Sequence, residues 1–176
     1  RTNGFQSLGQ LSDIPQNNQG LDNSVLPEAI SADGKVIVGK ARTANTTVHI
    51  PRIGSTYQMW EAFRWTAETG MVGLGDITGD PAMDLFDSQA LGVSGDGRIV
   101  LGTVRYGGPE VLNPIGFYAA ARWMDGGPPQ MLPSPAQRRD TYVPLALSAN
   151  GTYVVGSYDF GFELDGLTGK RADIDV

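Results

Sequence analysis

The sequence predicts an all-β repeat fold of about three propeller-like antiparallel blades, incomplete at both ends. Three observations lead there. Glycine and proline are frequent, at 24 and 11 of 176 residues, and they are scattered between short apolar runs; this suits strands joined by tight turns. Apolar residues make up 40 % of the chain, enough for a hydrophobic core. One short unit recurs three times along the chain, and a fixed recurrence marks stacked structural repeats.

The recurring unit occupies 29–39 (AISADGKVIVG), 92–102 (GVSGDGRIVLG) and 146–156 (ALSANGTYVVG). Its consensus is apolar, Ser, small, Asp or Asn, Gly, any residue, three apolar residues and Gly. The Asp-Gly and Asn-Gly pairs predict type I′ turns, in which both central residues have positive φ. Ser31, Ser94 and Ser148 are placed to hydrogen-bond the turn backbone. The second strand is apolar at successive positions, as in Val36-Ile37-Val38. A strand with one wet face would alternate, so both faces are expected to be covered.

A second motif lies between the hairpins. Ala62-Phe63-Arg64-Trp65 is followed by a turn and Gly70-Met71-Val72-Gly73-Leu74-Gly75; Ala120-Ala121-Arg122-Trp123 is followed by Gln130-Met131-Leu132. Each reads as strand, turn, strand. The leading Gly4-Phe5-Gln6-Ser7-Leu8-Gly9 matches 70–75 and reads as the last strand of a unit whose beginning is missing. Ser31 to Ser94 spans 63 positions and Ser94 to Ser148 spans 54. The chain is therefore divided, within a single domain 1–176, into a partial unit at 1–20, units at 21–80 and 81–135, and a partial unit at 136–176. About three units is below the roughly four blades of a closed propeller. Closure by the N-terminal strand, missing flanking blades or a homo-oligomer is expected. A first residue Arg1 rather than Met fits a processed or excised chain.

The Ser-Ala-Asp-Gly hairpin, the Ala62-Phe63-Arg64-Trp65 strand and the 70–75 strand, recurring in a fixed order, resemble the bacterial HAF repeat. The hairpin is also similar to blade hairpins of TolB-like propellers. The resemblance covers most of residues 4–156 and departs in the third copy, where Asn150 replaces Asp and no Arg-Trp pair follows. It implies a propeller-type fold and a secreted, cell-surface or periplasmic location in bacteria, in proteins that include autotransporter passengers. It implies no shared catalytic residues.

Composition narrows the chemistry. With 19 acidic and 13 basic residues the net charge is −6, and no basic block exists to neutralise phosphates, so nucleic acid is not an expected partner. The absence of cysteine excludes disulfides, thiolate catalysis and cysteine-ligated zinc. No run of about 18 apolar residues is present, so a membrane-spanning helix is not expected. His49, the single histidine, is read as a solvated or structural loop residue. Ser94 superficially suggests a nucleophile elbow, but its repeat partners identify a turn serine.

Asp76, Asp80, Asp84 and Asp87 fall within twelve positions and form the one candidate calcium site, although their spacing is not that of an EF-hand. They read first as a solvated acidic loop, and no other cofactor is expected. Asp159, Glu163, Asp165, Asp173 and Asp175 keep open a glycosidase, which needs two carboxylates about 5–9.5 Å apart. Trp65 and Trp123 recur and so read as packing between blades. Tyr57, Trp60 and Tyr106 do not recur and adjoin the irregular stretches at 43–55 and 105–114. They are the candidate ligand-binding residues, since function sits on loops held by a rigid scaffold. The expected function is a non-enzymatic secreted or surface platform for a glycan or protein ligand. The alternatives are a carbohydrate-active enzyme on a propeller scaffold and a self-assembling structural subunit.

Overall fold

The computed structural model describes residues 7–11, 23–50, 55–75, 87–106, 117–133, 140–160 and 172–174. Among these residues the fold is all-β, with no helix. The first sheet runs in the order β1 (Val25–Ile30), β2 (Val36–Ile50), β3 (Ser55–Thr66), β4 (Gly70–Gly73). The second repeats that order with β5 (Ser88–Val93), β6 (Ile99–Tyr106), β7 (Phe117–Met124) and β8 (Pro129–Met131). The third holds β9 (Asp140–Leu147), β10 (Val154–Phe160) and a short β11 (Ala172–Ile174). Every pairing is antiparallel. None of the described sheets closes on itself; of the stretch 4–9, where a completing strand was expected, only 7–9 are described, and these lie in no sheet.

The repeated hairpins differ from the expected turn. In the first, the Gly34 N–H donates to the Ser31 carbonyl at 2.9 Å, while the Ser31 N–H reaches the Val36 carbonyl at 2.9 Å. Only the glycine is left-handed, with φ of 72° at Gly34, 74° at Gly97 and 72° at Gly151; Asp33, Asp96 and Asn150 are not. This is not a type I′ turn. The reason lies in the side chains. Ser31 Oγ accepts the Val36 N–H at 3.0 Å and donates to Asp33 at 2.7 Å, and Asp33 accepts the Lys35 N–H at 3.0 Å. Ser94 with Asp96, and Ser148 with Asn150, repeat the arrangement. The side chains satisfy donors that a two-residue turn would leave to the strand ladder.

The closing glycine of the consensus has a different cause. In each unit the first strand carries a bulge at 27–29, 90–92 or 144–146. There its backbone presses on the second strand, leaving no room for a Cβ at Gly39, Gly102 or Gly156.

The sheets stack in chain order, with β5 against β1–β3 and β9 against β5–β7. Val36, Val38, Ala62 and Leu74 of the first sheet meet Ala90, Val100, Val104, Ala121 and Trp123 of the second in one buried core. The expectation that the apolar run is covered on both faces therefore holds in the middle unit, which has a described sheet on each side, while in the first unit Ile37 lines a depression on the face that no described sheet covers. The expectation fails in the third unit, where Tyr153 is 63 % and Val155 50 % exposed, because no described sheet lies beyond them.

Adjacent units are also joined through their turns. The Ala32 N–H donates to the Gly95 carbonyl at 3.1 Å, and the Gly95 N–H to the Ala149 carbonyl at 2.7 Å. Val36 lies on Gly97 so closely that a Cβ there would clash with it, whereas Gly34 has nothing within 4 Å. Both glycines are left-handed, so an alanine strains the two turns alike. Gly97→Ala should therefore cost about 1–3 kcal/mol more than Gly34→Ala, the difference being overpacking between units; urea unfolding of the two variants measures it.

Candidate binding site

Antiparallel pairing sorts the connections between strands. The tight turns 31–35, 66–70, 94–98, 124–129 and 148–152 all lie at one end of the sheets. The connections 51–54, 76–86, 107–116 and 134–139 all join strand ends at the other. The polar residues that do not recur between units gather toward that second end.

Asp87 is the centre of the group. It is 6 % exposed, at the start of β5. One carboxylate oxygen accepts the Tyr118 hydroxyl at 2.9 Å, and the other is buried without a hydrogen-bond partner among the described residues. Its backbone carbonyl accepts the Arg105 N–H at 2.7 Å. Burial raises the Asp87 carboxyl above its ordinary range, opposed by Tyr118 and by the charges of Arg105 and Arg42. The Tyr118 phenol is pushed up to about 12 by its own burial and by the facing Asp87 carboxylate.

Trp60, in β3, lies beside this pair. The Arg42 guanidinium sits 4.0 Å and the Lys40 ammonium 5.3 Å from its ring centre, an arrangement that the ring quadrupole favours. Lys40 also donates to Gln89 at 2.9 Å across the two sheets. The buried Ser88 completes the junction, accepting the Ala62 N–H at 2.9 Å and donating to the Gly75 carbonyl at 3.0 Å.

These positions revise several sequence readings. Asp87 belongs to a buried junction and not to a solvated acidic loop, because sheet packing covers it and Tyr118 takes the place of water at one of its oxygens. Asp76, Asp80 and Asp84 lie outside the described residues, so the calcium proposal meets the structure only at Asp87. Among the described residues no group of three His, Asp or Glu side chains could hold a metal. Tyr57 and Tyr106 fall in β3 and β6, with side chains outside what is described. His49 lies in β2 and not in a loop, since the stretch read as irregular continues the β2–β3 hairpin. Of the second acidic group, Asp159 lies in β10 and Asp173 in β11, with side chains outside what is described, as are Glu163, Asp165 and Asp175 altogether.

The recurring tryptophans divide. Trp123 is fully buried and donates its indole N–H to the Leu74 carbonyl at 3.0 Å, joining the first two sheets as expected. Trp65 is half-buried. Lys40, Arg42, Ser88 and Tyr118 were not singled out from sequence. Arg42 recurs as Arg105, but Lys40, Ser88 and Tyr118 do not recur at their positions in the repeat, and each meets its partners only through sheet packing. No protein family, curated protein or solved structure matches this chain.

The Tyr118 pair gives a pH dependence of fixed sign. Unfolded, the phenol ionises near its ordinary 10.0; folded, it does so at about 12. Its contribution is thus fully present below pH 10.0 and lost as the pH rises through about 12. Tyr118→Phe should remove this alkaline component. At neutral pH it should cost about 1–3 kcal/mol, since Asp87 loses its donor. Urea midpoints of both chains across the alkaline range test both statements.

Proposed function

We propose that this chain is a secreted or cell-surface repeat module of the HAF-like type. Its sheets are propeller-like blades, and it acts without catalysis as a rigid platform for a glycan or protein ligand. The observation that carries the reading is the division between the two ends. At the turn end the units share one sequence, one hydrogen-bond pattern and direct backbone bonds to each other. At the other end the connections differ in length and sequence from unit to unit. A scaffold that repeats at one end and varies at the other suits ligand contact at the varied end.

The chemistry near that end fits such a role. Trp60, with two cations over its ring, offers an aromatic surface in a polar frame, and rings of this kind stack on sugars or on partner side chains. Asp87 and Tyr118 brace the strands beneath it. The recurrence of two motifs in fixed order supports the HAF-like reading and the location it implies. The net charge of −6 disfavours a nucleic-acid ligand.

Screening the chain on a glycan array and against surface proteins should give a ligand whose affinity falls at least about tenfold, or ~1.4 kcal/mol, in Trp60→Ala. Lys35→Ala, at the turn end, should leave that affinity unchanged. Binding that depends on Lys35 and ignores Trp60 would place the ligand at the wrong end and sink the proposal.

A further inference from the structure

The three units dock on one another by a single rule, read from three contacts. First, the residue after the turn serine donates its N–H to the corresponding carbonyl of the next unit, as Ala32 does to Gly95 and Gly95 to Ala149. Second, the residue that opens the second strand covers the turn glycine of the next unit, as Val36 covers Gly97 and Ile99 covers Gly151. Third, the residue before the serine lies over a small residue of the preceding unit, as Leu147 lies over Gly92. Val93 and Ala29, which hold those two positions one unit earlier, pack against the same core.

The rule stops at both ends of the stack, and each end shows the half of it that the other lacks. At the trailing end, the Ala149 N–H has no acceptor among the described residues. Tyr153, the counterpart of Val36 and Ile99, is exposed, as is Val155 beside it. At the leading end, the Ala32 carbonyl has no donor among the described residues, and the space over Gly34 is open. Ile30, the counterpart of Val93 and Leu147, is 60 % exposed. It lines a shallow depression with Pro27, Glu28, Ala29 and Ile37.

We infer that the trailing face of one copy of this chain docks on the leading face of a second copy, continuing the stack head to tail. The Ala149 N–H of the first copy donates to the Ala32 carbonyl of the second. Tyr153 lies over the open Gly34, with its hydroxyl at the rim where water still reaches it. Ile30 of the second copy lies over Ala146 of the first, as Leu147 lies over Gly92. The inference rests on the reading of the chain as a stack of like units, and the new contact continues the interface that already joins those units. The two surfaces differ, so the association is heterologous and either closes a ring or extends a file.

The test uses one variant at each face, Ile30→Glu and Tyr153→Asp. Both positions are exposed, so each variant keeps its fold, and thermal unfolding followed by circular dichroism verifies this. By light scattering over a wide concentration series, the wild-type mass should rise in multiples of 18.7 kDa. Each variant alone should stay at the single-chain mass. An equimolar mixture should form a discrete dimer, because the first variant keeps its trailing face and the second its leading face. A wild-type chain that stays monomeric throughout overturns the inference, as does association that survives both variants or a mixture that stays monomeric. If that monomer still shows the excess cost of Gly97→Ala over Gly34→Ala, the docking rule within the chain stands and only the assembly fails. If the excess is also missing, the stacked-unit reading fails with it.

Discussion

The backbone bonds from Ala32 to Gly95 and from Gly95 to Ala149 determine where each sheet sits relative to the next. They join equivalent positions, so each turn must present its second residue in the same orientation. That requirement reaches back into the turn. The serine and the Asp or Asn side chain hold the loop backbone from inside, while the left-handed glycine closes it. The glycine then serves a second purpose. Lacking a Cβ, it lets Val36 or Ile99 of the preceding unit approach the turn backbone directly. One four-residue motif thus fixes the local turn and the spacing between sheets.

With the turns registered, the apolar strands need no special recognition. Val36, Val38 and Ala62 face Val100, Ala121 and Trp123 because the turns have already set the sheets face to face. Burial supplies the bulk of the stabilisation and is not directional. The turn bonds, the Trp123 bond to Leu74 and the Ser88 bonds to Ala62 and Gly75 supply direction. This division explains why the strand residues vary between units while Ser, Gly and the closing Gly do not. The hydrophobic face accepts any side chain of suitable volume. The glycines answer to close backbone contacts that admit no substitute.

The same distinction governs how much could be read before the structure. The three hairpins, the strand after each of the first two and the burial of Trp123 follow from local pattern, and the sheets bear them out; β11, after the third hairpin, carries no Arg-Trp signal and was not expected. The turn type was missed because Asp-Gly was judged on backbone preference alone; with Ser two residues before the Asp, side-chain oxygens compete for the loop amides and select another geometry. The extension of β2 to Ile50 was missed because Thr43 to Ile50 offers little apolar periodicity. Its support is the pairing with β3, which no local window contains. The Asp87 junction was equally hidden. Asp87, Tyr118, Trp60 and Arg42 come from four different strands or strand ends, and only sheet stacking brings them together. The sequence grouped Asp87 with its acidic neighbours, but its physical environment is set by residues far away in the chain.

A stack built by nearest-neighbour contacts has a further consequence. Each unit's stability includes what its neighbours bury, so the inner unit is supported on two faces and the outer units on one. The exposures follow that order. Val36 and Leu101 are covered by the unit that comes next, and Tyr153 and Val155 are not. Terminal units of a repeat array ordinarily carry a polar outer face that ends the stack. Here the third unit retains apolar residues at the two positions that its predecessors use for docking. The repeat rule has been kept at a position where no described sheet uses it. A stacking surface that keeps the docking pattern, including an N–H in register with the preceding bonds, is a surface shaped to receive a further unit.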